Sequence, residues 1–146
     1  MSELDTVVAL VLRKHARLVN LGHGRDTVSV THAERFIEAW RGHGDVGHVV
    51  SWPAVAASWL RPACRFASGA PDVWVVAAGP TDWAGLGKRL AGTAWQARRT
   101  VAFSALATAE LPTLAGTSAT DGLSGATADG ASWTFFDGRL RTGPWS

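Results

Sequence analysis

Four hydroxyl side chains, Thr31, Ser51, Thr81 and Ser104, follow short apolar runs and precede helical patterns. In an open parallel sheet that place, beyond the carboxyl end of a strand and at the start of a helix, is where ligands bind. The turns are Val30-Thr31-His32, Ser51-Trp52-Pro53, Gly79-Pro80-Thr81 and Ser104-Ala105-Leu106. The expected ligand-facing residues are therefore Thr31, Ser51, Trp52, Gly79, Pro80, Thr81 and Ser104. Singly, each hydroxyl reads as an ordinary helix cap. Only their common placement points to a pocket.

Other chemistry finds little support. His15, His23, His32, His43 and His48 all fall in the first third of the chain, but no pair has HxxxH spacing on a helix. Cys64 has no second thiol to join it, so no metal and no cofactor is expected. Phe103-Ser104-Ala105 lacks the glycines of a nucleophile elbow, and Gly79 to Gly85 fits neither a P-loop nor G-x-G-x-x-G. Arg61 and Arg65 flank Cys64, as cations flank a reactive thiol, yet a small buried thiol is the expected state. No catalytic residue is assigned.

Composition narrows the partners. A chain of 146 residues is expected to form one domain with a real core. Its net charge is only +2, and its bases are scattered: Arg13, Lys14 and Arg17; Arg98 and Arg99; Arg139 and Arg141. Aromatics do not interleave with them, which argues against nucleic acid. The early apolar run Val7 to Leu12 is too short for a membrane span or a secretory signal. With one cysteine no internal disulfide forms, so the cytoplasm is expected. Twelve of the 14 basic residues are Arg, which suggests a GC-rich bacterial source. Eight tryptophans without a tyrosine must each place an indole N–H, so many should lie at the core margin.

The elements that position these residues follow from periodicity. Ser2 with Asp5 caps a helix over 3–20, with Leu4, Val7, Val8, Val11 and Leu18 on one face. Residues 16–21 either end that helix or form a strand, and Gly22 to Arg25 is a flexible turn. Asp26 to Val30 alternates with period two and suits a strand. Thr31-His32-Ala33-Glu34 reads as a capping box, opening a helix with Ala33, Phe36, Ile37 and Trp40 inward and Gly42 as its stop. Gly47 to Trp52 is a strand, and Pro53 opens a helix through Trp59, with a kink or restart at Pro62.

Asp72 to Gly79 is apolar and β-branched, as a fully buried strand should be. It is expected between the Gly47 and Arg99 strands. Thr81-Asp82 caps the next helix, which carries Trp83, Leu86 and Leu90 to Gly92. A strand over 99–103 and a short helix from Thr108 to Gly116 complete the series. Asp129-Gly130 and Asp137-Gly138 then mark two-residue hairpin loops. They set a meander in which Phe135 opposes Leu140 and Trp133 opposes both Thr142 and Ala126.

The fold class is thus α/β: a single-domain layered sandwich with a mostly parallel sheet from βα units and a C-terminal antiparallel β-meander. Within 1–146, an N-terminal helix occupies 1–22, βα units 26–116 and the meander 122–143.

From Asp72 through Gly116 the sequence resembles a lobe of the type 1 periplasmic-binding-protein family, the amino-acid-binding components of ABC importers. The residues that carry it are Asp72 to Pro80, Trp83-Ala84-Gly85-Leu86, Arg99 to Ala107, Glu110-Leu111 and Leu114-Ala115-Gly116. Gly47 to Ala67 is similar to the preceding unit, so about half the chain is covered. The resemblance implies a ligand-facing edge at Gly79, Pro80, Thr81 and Ser104. That family closes its ligand between two lobes; this chain has length for one and shows no export signal.

Three functions follow as expectations. One is a non-catalytic cytoplasmic domain that binds a small molecule or acts as a sensor, with a homodimer rebuilding the missing wall. Another is a protein-interaction or assembly subunit, motivated by low charge and by Trp40, Trp52, Trp59 and Trp145 as anchors. The third is a small enzyme of unidentified class.

Overall fold

The computed structural model describes residues 1–143. Its strands are β1 (Leu18–His23), β2 (Asp45–Ser51), β3 (Val73–Ala77), β4 (Thr100–Ala102), β5 (Ser124–Ala126), β6 (Ser132–Phe136) and β7 (Arg139–Gly143). They form one sheet in the order β2-β1-β3-β4-β5-β6-β7, parallel through β5 and antiparallel from β5 to β7. Every residue of β3 is buried, because helices cover both faces of an interior parallel strand. Its neighbours are β1 and β4. The Gly47 strand expected beside it lies one place further out, as the sheet edge.

The helices are α1 (Glu3–Arg13), α2 (Thr27–Trp40), α3 (Leu60–Ala67), α4 (Pro80–Gly87) and α5 (Leu111–Ala115). The alternation of β3 sorts them into two layers. Val73, Val75 and Ala77 face α1 and α2, meeting Val7, Val11, Phe36 and Trp40. Trp74 and Val76 face α3, α4 and α5, meeting Phe66, Trp83, Leu86 and Leu111. Each fully buried side chain such as Phe66 or Leu86 contributes about 1.5–3 kcal/mol.

The tryptophans also fasten loops to this core. Trp52 Nε1 donates to the Asp82 carbonyl at 2.9 Å, Trp74 to Phe66 at 2.7 Å, Trp83 to Ala119 at 2.9 Å and Trp133 to Ala126 at 2.9 Å. Trp145 lies outside the described residues.

One polar side chain sets the β1–β2 register. Val19 pairs with Val46 and Leu21 with Val49, so Gly47 and His48 together oppose Asn20, a bulge in β2. Asn20 is 1% exposed and fills that gap. Its Oδ1 accepts from His48 N at 3.0 Å, while its Nδ2 donates to the Phe66 and Ser68 carbonyls at 2.8 and 2.7 Å. One residue thus ties β1 to β2 and to the end of α3.

Several boundaries depart from expectation, each for a local reason. The first helix stops at Arg13, its end marked by His15 at φ 57, so residues 18–23 are strand. The Asp72 carboxylate receives the Arg17 and Leu18 N–H groups at 2.9 Å and fixes where β1 begins. Residues 26–30 are not a strand. Asp26 accepts from Ser29 N at 3.1 Å and caps α2, and this cap prevails over the period-two pattern.

Pro53 opens a loop rather than a helix, held by Trp59 Nε1 on the Pro53 carbonyl at 2.9 Å. Pro62 then falls in the first turn of α3, where its missing N–H loses no bond, so no kink forms. Cys64, expected buried, is exposed, because α3 turns Ala63, Phe66 and Ala67 inward. Gly79 caps α4, with Pro80 as its first residue, in place of Thr81-Asp82.

In the meander Phe135 pairs with Leu140 and Trp133 with Thr142, as expected. Trp133 opposes Gly125 instead of Ala126. The turn is longer than two residues: Thr127 N donates to the Ala131 carbonyl at 2.9 Å, with Gly130 at φ 89.

Candidate functional site

In this strand order the chain leaves β1 toward β2 but leaves β3 toward β4, on the opposite side. The two connections diverge at the carboxyl ends of β1 and β3, the topological switch point, where open α/β sheets place a ligand crevice. Gly24-Arg25-Asp26 forms one wall and Ala78-Gly79-Pro80 the other, joined by Gly24 N on the Ala77 carbonyl at 3.0 Å.

Two carboxylates meet over Gly24. A Cβ there would stand 2.9 Å from Asp82 Oδ2 and 3.0 Å from Asp26 Oδ1, so glycine is what the close approach requires. Asp26 caps α2; Asp82 sits in the first turn of α4, its carbonyl held by Trp52. Their environments differ. The Ser29 hydroxyl, followed by its backbone N–H, holds Asp26 below the ordinary carboxylate range. Burial, and then the charge of Asp26, pushes Asp82 up. A cation or hydrogen-bond donor placed between them would relieve that repulsion, so the pair is suited to receive an amine or a hydroxyl.

The expected site residues separate into three groups. Gly79, Pro80 and Thr81 form the α4 side of the crevice. Ser51 and Trp52 lie at the end of β2, where Trp52 is buried and reaches the crevice only through Asp82. Thr31 is half-buried inside α2, away from any strand end. Ser104 follows β4, but its N–H donates to Glu3 Oε2 at 2.7 Å. Glu3 Oε1 lies 4.0 Å from His32 Nε2, and the His32 ring stacks on Phe103 at 4.4 Å. The first turn of α1 therefore covers this end of the edge.

Asp26, Asp82 and Gly24 were not legible as a group. Reading 18–23 as strand would have placed Gly24 in a strand-end turn and Asp26 at a helix cap. Beside the crevice, a cavity of about 340 Å³ opens at the end of β2, lined by Arg25, Ser51, Ser58, Arg61 and Arg65 among others. Among the described residues no cluster of three His, Cys, Asp or Glu side chains is arranged to hold a metal ion. No helix there is long and apolar enough to cross a membrane.

No family model matches the sequence, and no curated protein matches it. Solved structures do match. A substrate-binding periplasmic protein from Ralstonia solanacearum is 16% identical, with a TM-score of 0.69 over 86% of this chain and 36% of its own. A putative branched-chain amino acid ABC transporter from Rhodospirillum rubrum is 18% identical, with a TM-score of 0.71 over 84% and 35%. Another from Silicibacter pomeroyi is 17% identical, with a TM-score of 0.67 over 86% and 34%. This chain spans about a third of the length of those proteins. Its fold is that of one periplasmic-binding-protein lobe.

Proposed function

We propose that the chain is a non-catalytic small-molecule-binding domain, its ligand seated between the Gly24 and Gly79 turns and closed in by a second copy of the chain. The observation that carries this reading is the convergence of Asp26 and Asp82 over Gly24 at the switch point. Such a site recognises a small amine-bearing molecule. A free amino acid, the class named for the Rhodospirillum and Silicibacter proteins, fits that description.

A single lobe leaves one side of the crevice open to water, which is why we add the second copy as the missing wall. A ligand-responsive dimer of this kind would act as a sensor. We place it in the cytoplasm, where the exposed, unpaired thiol of Cys64 stays reduced. No described tryptophan is exposed, so surface tryptophan anchors give the rival assembly reading no support.

Calorimetric titration with free amino acids, followed by light scattering with and without the one that binds, tests the proposal. Saturable binding that is abolished in Asp82→Asn and accompanied by dimerisation is the expected result. Heat-silent titrations across the whole series, or binding indifferent to Asp82, would sink it.

A further inference from the structure

We infer that the cavity at the carboxyl end of β2 is an oxyanion site for small polyanions, such as phosphorylated or polycarboxylate metabolites. The inference adds to the reading above and does not depend on it. Three guanidinium groups, Arg25, Arg61 and Arg65, line the cavity together with the hydroxyl residues Ser51 and Ser58, and no carboxylate lines it. None of the three arginines forms an ion pair among the described residues. Only Arg25 is engaged, its Nε donating to Ser51 Oγ at 3.3 Å.

Arg61 is placed against local preference. It lies in the first turn of α3, where the helix dipole favours negative charge and where no acidic residue is present. All three arginines are exposed, so their heads are free to turn toward a bound anion. An anion there would receive planar, bidentate donors from several sides and the favourable end of α3 at once. A monoanion would leave most of the positive charge uncompensated, so the arrangement selects for two or more negative charges. The cavity volume of about 340 Å³ admits a metabolite-sized body.

The test is an amide-shift titration of the full chain with sodium pyrophosphate, sodium phosphate and sodium chloride matched for ionic strength. Saturable shifts at Ser51, Ser58 and Arg61 are expected, with pyrophosphate binding more tightly than phosphate and chloride producing none. Arg61→Gln with Arg65→Gln should weaken pyrophosphate by more than about tenfold, since each removes charge-assisted hydrogen bonds. Arg25→Gln, a single change at an exposed turn, should weaken it in the same direction, and Arg89→Gln should not.

No saturation in the millimolar range, shifts spread over exposed arginines such as Arg89 and Arg139, or equal affinity in the variants would overturn the inference. An amino acid that shifts Gly24 and Gly79 while pyrophosphate leaves Ser51 and Ser58 unmoved would retain the crevice reading and reject this one. Pyrophosphate shifts without any amino-acid response would do the reverse.

Discussion

Replacing Asn20 by Ala should destabilise the protein by about 3–5 kcal/mol, far more than a polar-to-small change normally costs. Three backbone groups each lose the Asn20 hydrogen bond at once: His48 N–H and the carbonyls of Phe66 and Ser68. The Phe66 carbonyl keeps the Trp74 indole at 2.7 Å, and Ser68 is exposed enough for water to replace the amide. The large term is therefore His48 N–H in the bulge, where an unmade hydrogen bond costs about 1–3 kcal/mol. The two weakened carbonyl contacts add about 1 kcal/mol in all, and the cavity left by the lost amide adds a similar amount.

Because β2 and α3 carry Ser51, Arg61 and Arg65, slippage at Asn20 should also reduce pyrophosphate affinity. Urea denaturation followed by tryptophan fluorescence reads the stability, and the m-value shows whether unfolding stays two-state. A loss below about 1 kcal/mol with unchanged m would refute the claim that Asn20 sets the β1–β2 register.

The remaining predictions concern the sheet ends, the meander and the thiol. Backbone N–H groups of Leu18 and then Arg17 hold the Asp72 carboxyl below its ordinary value of 3.8. Its stabilisation is thus complete above pH 3.8 and disappears as pH falls through the lower folded value. Asp72→Asn should lower the melting temperature at neutral pH and flatten its acid-side decline, measured by circular dichroism. Gly125→Ala should abolish cooperative folding or cost several kcal/mol, about the upper range for overpacking, because a Cβ would overlap the Ala102 carbonyl oxygen and the Trp133 ring. Cys64 should react with a thiol reagent in the native state at the rate seen in urea; strong protection would contradict its exposure on α3.

Long-period signals made much of this fold legible. The apolar run 72–79, the Phe36–Trp40 stripe and the Asp137-Gly138 turn each point to one structure, and each is present, whereas Asp129-Gly130 lies in a turn longer than the two residues expected. What escaped were competitions settled by single contacts. Asp26 to Val30 satisfies a strand pattern, but the Asp26 cap on Ser29 makes it helix. Residues 16–21 carry no local sign of strand or helix, because the Asp72 carboxylate that starts β1 lies 55 residues from Arg17 and 54 from Leu18 in sequence. The site suffered from the same error: a strand placed at 26–30 put Thr31 at the edge and hid Gly24 and Asp26, whereas Gly79, Pro80 and Thr81 lie where the sequence placed them.

The proposed ligand lies between the turns after β1 and β3. Amide-shift mapping with an amino acid that binds by calorimetry tests it most directly. Shifts should concentrate at Gly24, Arg25, Gly79, Thr81 and Asp82 and be suppressed in Asp82→Asn. Shifts centred instead on the exposed faces of α1 and α2, with those turns unmoved, would contradict it.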